Sequence, residues 1–307
     1  MWCGPRLHGV GGGTLYHSVW ICRYKASTTS ATEWEPQVSE EATPLAMGHR
    51  RFGKVNWLGL RTLVEREVRR FLNVWTQTVA APVATSILFM TVFTVAFGAR
   101  RGEVQGLPFE QFLAPGILMM VVIQNAFANT SSSIMISKIQ GNIVDTLMPP
   151  LSAGEILTGY IAGGVVRGLV CASAVMVVVF PWAGIWPVAP LWMLWFALAG
   201  SVMLALLGLM GGIYAEKFDQ MSAITNFVIT PLSFLSGTFY SITALPPAFQ
   251  AISQANPFFY LIDGFRYGAI GVADASPWVG FAVTLGLNAA LGWIAWRWLA
   301  KGYRLKP

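Results

Sequence analysis

The chain has 307 residues, 55% hydrophobic and 11% charged, with a formal net charge of +6 and a mean hydropathy of +0.57. Soluble domains carry about 25% charged residues, so this composition excludes an ordinary soluble domain and indicates a polytopic membrane protein.

Residues 1–46 carry no periodic pattern. Gly11-Gly12-Gly13, the Ser/Thr run Ser27–Thr32 and the acidic patch Glu33–Glu41 predict a disordered or misassigned extension, with Met47 an alternative start. No cleavable signal peptide is expected, because strongly apolar sequence begins only near Val79. Gly48–Val55 (GHRRFGKV) nearly spells a P-loop. It lacks the Mg²⁺-binding hydroxyl at Val55, and no buried strand precedes its glycines, so it reads as a basic patch.

From Trp57 to Trp75 the pattern is helical. Leu60, Leu63, Val64, Val68, Phe71 and Leu72 share one face, and Arg61, Glu65, Arg66, Arg69 and Arg70 the other. Residues 47–75 are therefore expected to form a basic amphipathic helix lying on the cytoplasmic leaflet.

Residues 76–307 hold six apolar runs, each near the ~20 residues that cross the hydrocarbon. They are Thr78–Phe97, Phe112–Ser131, Leu157–Phe180, Leu191–Tyr214, Met221–Tyr240 and Val279–Leu299. Lys and Arg set the orientation. Arg50, Arg51, Lys54, Arg61, Arg66, Arg69 and Arg70 precede the first run. Lys138 and Lys217 mark the second and fourth links, and Lys301, Arg304 and Lys306 follow the last run. Only Arg100, Arg101 and Arg266 fall on the other side, so both termini are expected to be cytoplasmic.

In the second link, about 139–150, Ile139, Ile143, Val144 and Leu147 recur at helical spacing before Met148, and Pro149-Pro150 stops the helix. Such a helix either caps the bundle or meets a partner. Arg167 is the one charge well inside an apolar run, which points either to structural hydrogen bonding or to a substrate path. Glu155 lies too far back to pair with it on the same helix. Cys171 reads as a small apolar residue, and the three cysteines give no disulfide framework or metal spacing. Gly159-x-x-x-Gly163, Gly164-x-x-x-Gly168 and Gly208-x-x-x-Gly212 allow close helix packing, within the bundle or across a dimer.

The stretch Leu235–Arg266 is too broken and polar to span. Pro246-Pro247 and Asn256-Pro257 interrupt it, leaving about two helical turns between them. It reads as a helix–break–helix excursion into the outer face, re-entrant over about 241–262, or as an external loop with a proline turn. Asp263 and Arg266, three apart, share one helix face.

Enzymatic chemistry is disfavoured. His8, His17 and His49 all precede the first run, so no Ser–His pair or histidine metal site forms in the membrane. The spans hold no carboxylate, which also argues against an ion-coupled transporter. An intramembrane enzyme and an ion-coupled transporter are the alternatives to an externally driven permease.

The segment SGTFYSITALPPAFQ…NPFFYLIDGFR, with Phe127–Pro150 and Gly159–Gly168, resembles the permeases of type-2 ABC transporters. The likeness covers nearly everything after Trp57. That resemblance implies an all-α, six-span permease, two copies of which pair with two copies of a separate ATPase in the bacterial inner membrane. It implies export of a drug, lipid-linked oligosaccharide or polysaccharide by alternating access, along a path lined by apolar and aromatic side chains. It also implies that Ile139, Ile143, Val144, Leu147, Met148 and Pro149 form the coupling helix that fits the ATPase. Pro246, Pro247, Asn256, Pro257, Asp263 and Arg266 are then the re-entrant gate. No cofactor is expected on this chain, since ATP would be bound by the partner.

Overall fold

The computed structural model describes residues 55–98 and 103–304. The extension 1–46, the near P-loop up to Lys54, and Arg50, Arg51, Arg100, Arg101 and Lys306 lie outside the described residues.

Helix α1 spans Trp57–Leu72. Asn56 caps it, its Oδ1 accepting from the Gly59 amide at 3.0 Å. Leu63, Glu67 and Phe71, each one turn apart, form the buried stripe. The chain then enters α2 (Ala81–Phe93), flanked by π-helical turns at Thr76–Ala80 and Thr94–Gly98. A small hairpin follows, with β1 (Glu103–Val104) antiparallel to β2 (Leu107–Pro108). Gln105 and Gly106 turn it with φ of 55° and 77°, the tight geometry that matches strand twist.

Helix α3 (Phe109–Ile139) has 31 residues. At 1.5 Å per residue that is about 46 Å, longer than the ~30 Å hydrocarbon. The helix expected over Ile139–Met148 is broken. Gly141 adopts φ +74°, so Ile139 ends α3 and only Ile143–Leu147 form α4. Then come α5 (Ala153–Ala183) and α6 (Pro190–Tyr214). The run expected at Met221–Tyr240 is helical from Phe218 to Leu235, as α7 (Phe218–Ile224), a π turn (Thr225–Ile229) and α8 (Thr230–Leu235). It stops five residues short of Tyr240 because the chain turns at Gly237, φ +75°. A 3₁₀ turn (Ile242–Ala244), α9 (Pro247–Ala255), α10 (Pro257–Ile270) and α11 (Pro277–Lys301) complete the fold.

The protein is thus an all-α integral membrane fold apart from the hairpin. Among the described residues, five helices are long and apolar enough to cross a membrane: Thr76–Ala96, Phe109–Ile139, Ala153–Ala183, Pro190–Tyr214 and Pro277–Lys301. Helix α3 is central, with 83% of its most apolar stretch buried, whereas the first and last of these helices reach only 11% and 17% and lie at the periphery.

All three glycine pairs pack inside the chain. A Cβ on Gly159 would run into Leu63, and one on Gly163 would come within 2.6 Å of Glu67, so α1 seats directly on α5. Gly164 and Gly168 admit Ala205 and Ser201 of α6. A Cβ on Gly208 would come within 2.5 Å of the Phe127 carbonyl of α3, and one on Gly212 within 3.0 Å of Ile134. The small residues let backbones approach, as in membrane helix pairs.

Candidate functional site

At the end of the bundle where α3 finishes, α1 is tied to the spans by a polar cluster. Glu67 is fully buried, with ion pairs to Arg66 and Arg70 at 3.2 Å each and a hydrogen bond from Ser133 Oγ at 2.8 Å. Arg70 also donates to the Asn129 carbonyl (2.7 Å) and to Ser132 (3.1 Å) on α3. Arg66 donates to Tyr160 on α5 (3.2 Å) and to Thr146 in α4 (3.0 Å). One carboxylate and its donors thus join four elements. Sequence reading missed Glu67, although its place between Leu63 and Phe71 on the apolar stripe was a usable signal. Glu155 has a second role there. It forms a capping box with Ser152 and accepts the Asn56 amide, so the starts of α1 and α5 interlock. Lys138 caps α6 from the side, donating to the Ile213 and Ala215 carbonyls at 2.7 Å.

Of the residues singled out in the 139–150 link, Ile143 faces inward and is buried. Ile139 (50% exposed), Val144 (47%) and Met148 (76%) are open, Pro149 is exposed, and Leu147 closes α4. An apolar patch therefore lies beside Thr146, the point at which α1 grips α4.

At the opposite end, where α3 begins, the broken stretch is held by its own polar groups. Helix α8 ends at Leu235, leaving carbonyls unpaired. Asn256 Nδ2 donates to the Leu232 carbonyl (3.0 Å) and to Ser236 Oγ (2.7 Å), while Ser253 and Tyr240 donate to the Leu235 carbonyl. The Asn256 Oδ1 simultaneously caps α10 through the Phe258 amide, and Pro257 occupies the first helical position. Pro246 caps α9 and Pro247 opens it; both are exposed.

Arg266 is buried to 1% exposure. It donates to the Gly237 carbonyl at 2.5 Å, lies 4.0 Å over the Phe112 ring and is 3.7 Å from Asp263. The Asp263 carboxylate in turn accepts the Asp274 and Ala275 amides, both at 2.8 Å. The Asp274 side chain accepts from Ser241, the Ile242 amide and Gln105. This clasp joins the hairpin, the turn after α8, α10 and the link to α11. Asp274 and Gln105 were not anticipated, because the partners of their side chains lie 32 or more residues away.

Between the two ends, a cavity of about 460 Å³ opens between α2, α3 and the α7–α8 helix. Gln77, Thr85, Gln124, Asn125, Asn226 and Thr230 supply its polar wall, and Phe89, Ile117, Met120 and Phe239 its apolar one. Gln77 and Asn226 sit in π turns, which often mark functional positions in helices. The wall thus combines amide and hydroxyl groups with aromatic and aliphatic side chains. Phe239 stacks on Phe93 at 4.7 Å and on Phe234 at 5.4 Å, placing an aromatic group at the hairpin end of the cavity. Arg167 stands behind this wall, its Nη2 donating to Asn125 Oδ1 at 3.4 Å. Its partner is thus an amide on a neighbouring helix, and Glu155 is engaged elsewhere. The arrangement offers a partly polar cleft in an apolar bundle, open on the side of Gln77, Thr85 and Asn226. Among the described residues, no group of three or more His, Cys, Asp or Glu side chains is placed to hold a metal.

Known proteins share much of this sequence. A family model for the ABC-2 type transporter matches residues 59–270. The chain is 37% identical over 254 residues to the inner membrane transport permease YadH of Escherichia coli (strain K12), covering 81% of this chain and 98% of that protein. It is 24% identical over 225 residues to nodulation protein J of Rhizobium leguminosarum bv. viciae, covering 71% and 84%. It is 25% identical over 251 residues to nodulation protein J of Neorhizobium galegae, covering 76% and 86%. The matched region runs from α1 to the end of α10 and so contains the Glu67 cluster, the cavity and the Asp263–Arg266 pair, while Asp274 and Ala275 of the clasp lie just beyond it: the chain belongs to the ABC-2 type transporter family and is a multi-pass membrane transport permease.

Proposed function

We propose that the chain is the membrane half of an ATP-driven exporter in the bacterial inner membrane, working as a homodimer with two copies of a separate ABC ATPase that alone binds ATP. In this reading Phe218–Leu235 is a sixth span and α9–α10 a re-entrant gate. The end carrying α1 and α4 is cytoplasmic, and residues 1–46 are dispensable. The orientation is supported by Arg61, Arg66, Arg69, Arg70, Lys138, Lys217 and Lys301, all at the α1 end. A hydrophobic or amphipathic substrate would enter the cavity between α2, α3 and α7–α8, which the second copy completes, since α2 is so little covered within one chain. The inner membrane location follows the name of the Escherichia coli relative.

The observation that carries this reading is the pairing of an open apolar patch with a rigid strut. Ile139, Val144 and Met148 offer a partner a surface, and Thr146 between them is gripped by Arg66 of a helix seated on α5. Push on α4 and the displacement reaches α1, α3 and α5 together. Reconstitution tests the proposal. The permease with its ATPase in inverted vesicles is expected to take up a fluorescent amphiphile only with hydrolysable ATP, and the permease alone to hydrolyse none. Uptake without the ATPase would overturn it.

A further inference from the structure

The charge around the cavity is unbalanced. Arg70 and Arg167 are bound to Asn129 and Asn125, which lie four residues, about 6 Å, apart along α3. Arg66, the other partner of Glu67, is nearly half exposed, bonds Thr146 and Tyr160, and does not line the cavity. Glu67 answers Arg66 and Arg70, and among the described residues no carboxylate reaches ion-pair distance of Arg167. Arg70 is thus answered by Glu67, and Arg167 remains as one unanswered positive charge. Asn125 is part of the cavity wall itself, so the uncompensated Arg167 lies one side chain behind the cleft. Arg167 Nε and Asn129 Nδ2 are buried donors with no acceptor among the described residues.

A buried charge screened by little water acts over several ångströms, and a concave, low-dielectric cleft focuses its field. The cavity wall adds amide and hydroxyl groups from Gln77, Gln124 and Asn226 and, among the described residues, no acid. Phe89, Ile117 and Met120 provide an apolar surface for a chain or ring.

From this we propose, building on the transport reading above, that the cavity selects amphiphiles whose headgroup is anionic, such as a phosphate ester, and rejects cationic ones. The negative headgroup sits by Asn125 at the positive end, and the apolar part lies along α2 and α3 toward Phe239. A cationic amphiphile of the same shape meets like charge from Arg167.

The test uses the full chain in zwitterionic nanodiscs and three fluorescent dodecyl probes that differ only in headgroup: phosphate, trimethylammonium and maltoside. Empty nanodiscs correct for partition into lipid. The phosphate probe is expected to saturate at a concentration at least tenfold below the trimethylammonium probe, with the advantage shrinking as salt rises. Arg167→Gln is expected to remove most of that preference. Asn226→Asp, at an exposed position on the cavity wall, is expected to reduce or reverse it without disturbing the bundle. Equal binding of both charged probes, no saturable binding of any probe, or a preference unchanged in both variants would overturn the proposal. With the same probes in inverted vesicles that also hold the ATPase, ATP-driven movement of all three at equal rates would overturn anion selection and leave the exporter reading intact. Selective binding without ATP-driven movement would do the reverse.

Discussion

The Arg66 guanidinium donates to the Thr146 hydroxyl at 3.0 Å, across 80 residues of sequence, while its other nitrogen pairs with the buried Glu67. A single side chain thus links the α4 link to a carboxylate sealed under α1. The two bonds differ in weight. Arg66 is nearly half exposed, so its bond to Thr146 contributes little to stability, but Glu67 is buried beneath two arginines. Removing Glu67 leaves Arg70 partly buried and unpaired, and costs of about 3–5 kcal/mol follow for broken buried pairs. Glu67→Ala is expected to lower the melting temperature of the purified permease by several degrees. Glu65→Ala, which loses only the exposed pair with Arg69, is expected to shift it little. Equal shifts would show that burial of Glu67 is not what holds α1.

A second prediction concerns the partner surface. Met148 is 76% exposed and Val144 47%, so a charge at either position stays hydrated in the free permease and should leave its fold unchanged. Docked into an apolar cleft, the same charge loses water at a cost of several kcal/mol. Met148→Asp and Val144→Asp are expected to insert normally yet lose ATPase in pull-down. Ile143→Asp, at a buried position, is expected to reduce insertion or stability instead. Normal ATPase capture and export by both exposed variants would reduce α4 to a cap on the bundle.

Much of the fold was legible because it is written in runs of single residues. Apolar length marked the spans, Pro246-Pro247 and Asn256-Pro257 marked the breaks, and the spacing of Asp263 and Arg266 put them on one face, where they are 3.7 Å apart. What stayed hidden depends on backbone dihedrals or on distant partners. Gly141 at φ +74° splits the expected coupling helix, and a glycine alone does not announce its φ. Glu67 looked like one more acid on a charged helix until Ser133 and Gly163 enclosed it from other spans. The cavity was illegible for the same reason: Gln77, Asn125 and Asn226 come from three segments, and two of them are aimed by π turns that no hydrophobic pattern encodes. The glycine pairs were visible, but their partners were not.

Those partners give a third prediction. Because Leu63 and Glu67 fill the spaces over Gly159 and Gly163, side chains there must push α1 off α5. Overpacking of this kind costs about 1–3 kcal/mol, and here it also separates Arg66 from Tyr160. Gly163→Val is expected to lower export more than Gly154→Val, whose Cβ would meet nothing within 4 Å. A cysteine pair at Leu63 and Gly159 should crosslink within one chain. Crosslinking only between chains would assign the Gly159 face to a dimer contact.

The last prediction concerns the clasp at the hairpin end. Arg266 is fully enclosed: the Gly237 carbonyl takes its Nη2, Phe112 lies under its guanidinium plane, and Asp263 balances its charge. Asp263 is itself held by the Asp274 and Ala275 amides. Either single truncation therefore strands a buried charge. Arg266→Ala leaves Asp263 unbalanced, and Asp263→Ala leaves Arg266 so, each at about 3–5 kcal/mol. Removing both strands neither, so the double variant should lose clearly less than the sum of the two single losses. Arg266→Lys is not expected to rescue, because an ammonium lacks the flat fork that serves a carbonyl and a ring at once. Melting curves of wild type and the four variants decide the matter, with export assayed alongside to show whether gating suffers before the fold does. Strictly additive losses would mean that Asp263 and Arg266 act separately. A lysine variant with full stability and export would reduce Arg266 to a simple positive charge.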